Sequence, residues 1–293
     1  MFKKNTDIST LKDIESSLLV LSDIHADKDT DYTFLYKVLD RIKDKGDTSI
    51  ICSLGDTLND GLDIETAKRI SDVYEKFSRV APLVIIPGNH DKVTCKNGRW
   101  LYIKTPEDLL IYDKIVSLYK SIPNTHYLSN EGILIDGINF FGIDMPISYY
   151  KSENANRMMA SDLLESLDIN ANDYTYNIFL SHSPINFMEN DFVSSIDSLK
   201  NFDLFLAGHM HNGLLPCYLE HFVPGNYGLL GRVNGKSKYF PPYSKGNVKI
   251  NDHQTGVIAN PYCTFSSEKV DKLKYNKFYP KVMQTVKIRK LVK

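Results

Sequence analysis

The chain lacks most of the features that would class it at a glance. Across its 293 residues no apolar run approaches the roughly 18–20 residues of a membrane span. The first segment, Met1 to Ser17, is polar and mixed in charge, without the apolar stretch of a secretory leader. Cysteine is scarce: Cys52, Cys95, Cys217 and Cys263 stand far apart and form no C-x-x-C pair. That spacing excludes a disulfide framework and a zinc ribbon, and reads as free thiols in a reducing, cytoplasmic setting. An excess of one charge is missing too. Thirty-five basic and 36 acidic residues leave a formal net charge of −1, so no general phosphate attraction draws nucleic acid to the chain. No internal repeat, low-complexity tract or composition break marks a linker, and residues 1–293 read as one domain. What remains, 42% hydrophobic and 24% charged, is the balance of a globular chain with a full core.

What is present is an alternation of short apolar runs and amphipathic stretches. Leu18 to Leu21, Ser49 to Leu54 and Leu83 to Ile86 have no helical spacing and read as buried strands. Between them, Phe34, Leu35, Val38, Leu39 and Ile42 recur at three- and four-residue steps, as do Ile64, Ala67, Ile70, Tyr74 and Phe77. Those are helices with one apolar face; Gly46 and Asp47 stop the first. Strand, helix, strand, helix, strand is the pattern of parallel βαβ units. Thr105-Pro106-Glu107 is a hydroxyl cap followed by proline at the first helical position, opening a helix to about Lys120. Asp136-Gly137 between Ile133–Ile135 and Ile138–Phe141 predicts a tight hairpin. Residues 146–175, rich in Asn, Ser and Tyr, read as an insertion or cover with one helix near Arg157 to Leu167. Further strands are expected at Asn177–Leu180, Asp203–Leu206, Val257–Ala259 and Val282–Ile288.

Each early strand ends in chemistry. The ends are Asp23-Ile24-His25, Gly55-Asp56, Gly88-Asn89-His90-Asp91, Ser181-His182 and Gly208-His209-Met210-His211, and they hold five of the eight histidines. Ligands of open α/β sheets bind outside the carboxyl ends of strands, so these distant clusters are expected on one edge. Carboxylate, amide and imidazole donors suit mid-row divalent metals such as Mn, Fe, Zn or Co. So many imidazoles argue against a Mg or Ca site, which prefers oxygen throughout. Seven ligands exceed one tetrahedral metal and suit two metals sharing a carboxylate.

In this order the clusters resemble the signature of the calcineurin-like metallophosphoesterases: D-x-H, G-D, G-N-H-D/E, H and G-H-x-H, here from Asp23 to His211. The segment Gly208 to Gly213 is most similar to bacterial single-domain members. The resemblance implies an α/β fold, a four-layer α/β/β/α sandwich with two facing mixed sheets. Residues 212–293 would supply closing strands and a basic tail. It implies Asp23, His25 and His211 on one metal, Asn89, His182 and His209 on the other, and Asp56 bridging both. His90 would face the phosphate and leaving group, with Asp91 beside it fixing its orientation. The expected reaction is hydrolysis of a small phosphomonoester or phosphodiester by a metal-activated water, with Mn, Fe or Zn as the two divalent ions; the alternatives are a non-catalytic scaffold of the same fold or a membrane-associated phosphodiesterase of lipid or envelope phosphates.

Other residues draw weaker expectations. His126, His221 and His253 lie in no motif and read as surface or packed side chains. Asp27 and Asp60, near the motif ends, are as readily turn residues as supports for the ligands. Lys92 and Arg99 follow the Gly88 motif; solvated surface is favoured over contact with substrate phosphate. Candidate walls of the substrate space are Thr94 to Thr105, Met145 to Met159 and Gly225 to Gly246. Glu268 to Lys293 carries eight lysines and one arginine against one glutamate and one aspartate. It reads as an edge strand guarded by lysine, with weak contact to an anionic membrane surface as the alternative.

Overall fold

The computed structural model describes residues 1–96, 99–150, 156–172, 174–233, 236–263, 279 and 281–290. The chain runs β1 (Phe2–Thr10), β2 (Ser16–Leu21), α1 (Thr33–Lys45), β3 (Ile50–Leu54), α2 (Ile64–Ser78) and β4 (Leu83–Ile86). There follow β5 (Val93–Lys96), β6 (Arg99–Tyr102), α3 (Pro106–Lys120), β7 (Thr125–Tyr127), β8 (Glu131–Ile135) and β9 (Ile138–Ile143). Then come α4 (Asn156–Ser166), β10 (Tyr176–Ser181), α5 (Asn190–Ser195), β11 (Leu204–Ala207), β12 (Leu230–Val233) and β13 (Lys236–Tyr239). The last are β14 (Gly246–Lys249), β15 (Thr255–Ile258) and β16 (Val282–Lys290).

Two six-stranded sheets result, in the orders β1-β16-β2-β3-β4-β7 and β14-β15-β11-β10-β9-β8. In the first, β2, β3, β4 and β7 are parallel and β16 runs antiparallel to β2. In the second, β9, β10, β11 and β15 are parallel, and antiparallel β8 and β14 close the two edges. The sheets face each other. Leu18, Val20, Ile50 and Val84 of one meet Phe140, Ile178, Leu180 and Leu206 of the other in a single buried cluster. The outer face of the first sheet is covered by α1, α2 and α3 through Leu35, Val38, Ile70, Phe77 and Ile115. The outer face of the second is covered by α4 and α5 through Ala160, Leu164, Phe192 and Val193. This is the four-layer α/β/β/α arrangement, and each fully buried aliphatic side chain in it contributes about 1.5–3 kcal/mol.

The local signals act as read. Gly46, with φ 57°, ends α1 in the left-handed conformation. Thr105 accepts a hydrogen bond from Asp108 N, with Pro106 at the first position of α3. Asp136 and Gly137, at φ 48° and 80°, make the hairpin turn between β8 and β9. Within 146–175 one part is corrected: α4 is a layer of the sandwich, because Ala160 and Leu164 form a small apolar stripe that packs on the sheet. The edge-strand reading of the tail is also corrected. β16 lies inside the first sheet between β1 and β2, with Val286 and Ile288 buried between the sheets. The edge on this side is β1, where Thr6, Ile8 and Thr10 are buried in alternation with exposed Asn5, Asp7 and Ser9. The stretch 268–278 of the basic tail lies outside the described residues. Among those described, no helix is long and apolar enough to cross a membrane.

An interior β16 makes a stability prediction. Ile288 is 1% exposed, so Ile288→Ala should cost about 2–5 kcal/mol. Lys290→Ala, on the exposed end of the same strand, should stay within about 0.5 kcal/mol. Urea unfolding of both variants decides; equal, small effects would mean β16 is not packed between the sheets.

Candidate metal centre

The parallel strands β2, β3 and β4 of one sheet and β10 and β11 of the other end on the same side of the sandwich. Their loops are zipped together by main-chain bonds: Asp23 N to Gly55 O at 3.2 Å, His25 N to Asp56 O at 2.8 Å and Gly208 N to His182 O at 2.9 Å. Within these loops Asp23, His25, Asp56, His209 and His211 all have φ between 45° and 68°. Left-handed backbone at a non-glycine residue costs about 1–3 kcal/mol and persists only where the surroundings fix it. Asp and His tolerate it better than branched residues, which helps explain why short polar side chains occupy these turns. Gly88 is demanded by a close approach: a Cβ there would stand 2.2 Å from Asp56 N and from Asp56 Oδ1.

Two donor clusters form. Asp23, His25, Asp56 and His211 present ligand atoms within 4.8 Å of one another, and so do Asp56, His182 and His209. Asp56 belongs to both. Its Oδ1 accepts the His90 main-chain N–H at 2.7 Å. Its buried Oδ2 accepts no hydrogen bond, although His25 Nε2 and His182 Nε2 lie 3.5 and 3.2 Å away. In the first cluster His25 Nε2 and His211 Nε2 are 3.1 Å apart, and His211 Nε2 is 3.4 Å from Asp23 Oδ1. In the second, His209 Nδ1 and His182 Nε2 are 3.2 Å apart. Ligands about 2.1 Å from one ion stand about 3.0 Å apart at right angles and about 3.4 Å apart in a tetrahedron. The spacings therefore fit two divalent ions sharing Asp56. Asn89 Oδ1 is buried and accepts no hydrogen bond, as befits a ligand oxygen.

Supporting bonds aim the donor side chains. A carbonyl can only accept, so the 2.7 Å contact between His182 Nδ1 and Leu54 O puts the proton on Nδ1 and turns Nε2 toward Asp56. Ser22 Oγ donates to Asp23 Oδ2 at 2.5 Å, and His209 N donates to the same oxygen at 3.0 Å. The charges of the carboxylate and the imidazoles depend on one another. Burial opposes the Asp56 charge, but His182, His90 and His25 outweigh it and hold the carboxyl well below the usual range. Burial likewise opposes protonation of His182, yet Asp56 and then Asp23 outweigh it and push the pKa up to about 9. Burial first and His182 next drive His209 down to about 3. Burial and then His90 lower His25. Neutral imidazoles are the ligating form.

His90 stands over the first cluster, its ring 4.6 Å from that of His25 and edge-on. Its orientation does not come from Asp91. His90 Nδ1 lies 3.2 Å from Asn59 O. Asp91 instead accepts from Gly88 N at 2.8 Å and Leu58 N at 2.9 Å, tying the loops after β3 and β4 together. The reason is backbone direction: the short helical turn at His90–Lys92 sends adjacent side chains apart. Two aromatic side chains flank the centre that no motif marked individually. Trp100 meets His90 edge-on at 4.9 Å, and the Tyr150 ring is 5.2 Å from that of His209. Both fall in the wall segments expected from sequence. Asp60 is a support: its Oδ2 accepts from Thr94 Oγ1 and Cys95 N at 3.0 Å. Asp27 closes a turn onto Asp29 N and Thr30 Oγ1. Lys92 is occupied by Asp144 and Met145 O. Arg99 is exposed at the start of β6, and His126 and His253 lie outside the centre. The side chain of His221 is outside the described residues.

Against known proteins, the calcineurin-like phosphoesterase family profile matches residues 16–213. That is more than half of the chain, so the protein belongs to the calcineurin-like phosphoesterase family. It is accordingly a phosphoesterase. Among solved structures it is similar to TT1561 of Thermus thermophilus, at 13% identity over 83% of this chain and 97% of that one, TM-score 0.40. It is similar to a purple acid phosphatase, PPD1, from seeds of yellow lupin (Lupinus luteus), at 13% identity over 86% of this chain and 55% of that one, TM-score 0.39. The nuclease MPE of Pseudomonas putida also matches, at 14% identity over 66% of this chain and 61% of that one, TM-score 0.26. Among curated proteins no sequence matches.

Two outcomes follow. With His182 at about 9, ligation below that pH must displace its proton. Mn affinity should then fall about tenfold per unit as pH drops from 9. Calorimetry in buffers of different ionisation enthalpy should read about one proton released at pH 7; none released would contradict the His182 assignment. Separately, Gly88→Ala should displace Asp56 and weaken metal binding at least about tenfold, read by equilibrium dialysis against Mn.

Proposed function

We propose that the protein hydrolyses a small phosphate ester, mono- or diester, at a pair of divalent ions drawn from Mn, Fe and Zn. The observation that carries this reading is the two donor clusters sharing Asp56. Asp23, His25 and His211 hold one ion with Asp56; Asn89, His182 and His209 hold the other with it. When bound, such a pair neutralises phosphoryl charge and lowers the pKa of a water from 15.7 toward about 7. The imidazole-rich donor set supports mid-row metals over Mg or Ca.

The remaining work falls to the protein's own side chains. His90 Nδ1–H donates a hydrogen bond to Asn59 O, which leaves Nε2 as the atom that exchanges a proton with the departing oxygen. Trp100 meets the His90 ring edge-on at 4.9 Å and limits its rotation. Ser22 and Leu54 hold Asp23 and His182 in their ligating orientations. Cys52, buried, has its thiol pushed up to about 12 by burial and takes no part.

The test is metal content with hydrolysis of p-nitrophenyl phosphate and its bis ester under added Mn. About two ions per chain are expected, with turnover lost in Asp56→Asn and His211→Ala. His90→Ala should keep its metal while kcat falls about 10²–10⁴-fold. Full turnover in Asp56→Asn would sink the reading. The ratio of mono- to bis-ester rates then assigns the ester class.

A further inference from the structure

His211 opens the longest left-handed stretch of backbone among the described residues. His211, Asn212, Gly213 and Leu214 follow one another at φ 48°, 55°, 60° and 49°. L-residues visit that region singly and not in runs, so contacts from outside must hold this one. His211 is also the donor of the first cluster most open to solvent, its side chain 17% exposed against 0% for Asp23 and His25.

Three anchors hold the run. Gly213 packs so closely on Gly228 that a Cβ would stand 2.2 Å from Gly228 Cα, and Leu229 N donates to Gly213 O at 2.8 Å. Tyr279 Oη donates to Leu214 O at 3.0 Å. The third anchor is the side chain next to His211. Asn212 Nδ2 donates to Leu215 O at 3.0 Å and to Glu220 Oε1 at 2.9 Å. Both partners are acceptors, which fixes the orientation of the amide. Asn212 Oδ1 is buried and accepts no hydrogen bond, so the amide is held through Nδ2 alone.

Glu220 is itself fixed. It lies on the helical turn Cys217–Phe222, and the carbonyls of Glu220 and Val223 each accept from Lys245 Nζ at 2.9 Å. Lys245 is only 6% exposed and immediately precedes β14. A continuous line of contacts therefore runs from the edge of the second sheet through Lys245, Glu220 and Asn212 to His211.

We infer that Glu220 is a positioning residue for the first ion: through Asn212 it holds the left-handed loop that aims His211 at Asp23 and His25. This rests on the two-ion reading of the centre. His209, on the second ion, is held separately by its main-chain N–H on Asp23 Oδ2, so Glu220 acts on one ion of the pair.

The test needs no turnover. Mn-loaded full-length protein is dialysed against falling free Mn, the bound ions are counted, and their spin coupling is read by electron paramagnetic resonance. The wild type should hold about two ions with a coupled spectrum. Glu220→Ala should bind one of them about 10–100-fold more weakly and then give the isolated-ion spectrum of His211→Ala. Glu220→Gln, whose amide oxygen still accepts from Asn212, should restore the pair. The double variant Asn212→Ala/Glu220→Ala should be no weaker than Glu220→Ala alone. Wild-type affinity in Glu220→Ala, equal weakening of both ions, or no rescue by glutamine overturns the assignment. If circular dichroism shows Glu220→Ala unfolded, Asn212→Asp carries the test: it keeps the shape but has no N–H to give. It should lose the same ion, and retention of the coupled pair would sink the idea. The wild-type arm separates this inference from the reading beneath it. A wild type without a coupled pair removes the two-ion centre itself, whereas a coupled pair untouched by the variants removes only the role of Glu220.

Discussion

A carboxylate buried to 1% exposure must be compensated, and the centre is organised around how Asp56 meets that requirement. One oxygen is satisfied by the His90 main-chain N–H. The other is left to imidazoles arriving from both sheets. Removing either sheet's contribution would strand the charge. The inter-sheet core is thus more than a source of stability: it keeps β3 of one sheet in register with β10 and β11 of the other, and so keeps the two histidine groups on one oxygen.

The left-handed loops express the same requirement in the backbone. Five residues of the donor clusters sit in conformations that ordinary side chains avoid. Main-chain bonds between neighbouring loops hold them there, and Asp91 adds a buried acceptor between the loops after β3 and β4. Rigidity of this kind suits chemistry that depends on fixed distances, since little reorganisation is left to the reacting state.

Much of this was readable from residues alone. Buried strands announced themselves as unbroken apolar runs, and the polar groups that ended them proved to share one edge. The Asp136-Gly137 turn and the Thr105-Pro106 cap acted through local chemistry that no tertiary contact overrides. What escaped was held by tertiary pairing. β1 hides because Lys3, Lys4 and Asp7 mask the inward alternation of Thr6, Ile8 and Thr10, and its partner is remote in sequence. β5 and β6 are four residues each, too short for a period. The placement of Trp100 against His90 depends on that hairpin. Asp91 was misread because adjacency in sequence does not survive a helical turn.

The pairing of Phe2 with Val282 and Thr10 with Lys290 has a consequence for how the chain comes into being. β1 and β2 are made first, yet they are not neighbours in the sheet; the slot between them is filled by β16. Closing so long a loop is entropically expensive and slow. During synthesis the parallel strands β2 to β4 can associate early, while β2 keeps one flank bare and β1 has no partner. The nascent chain therefore carries an exposed, adhesive strand until residue 290 has left the ribosome. Lys3, Lys4 and Asp7 of β1 keep that waiting segment from sticking to the wrong edge.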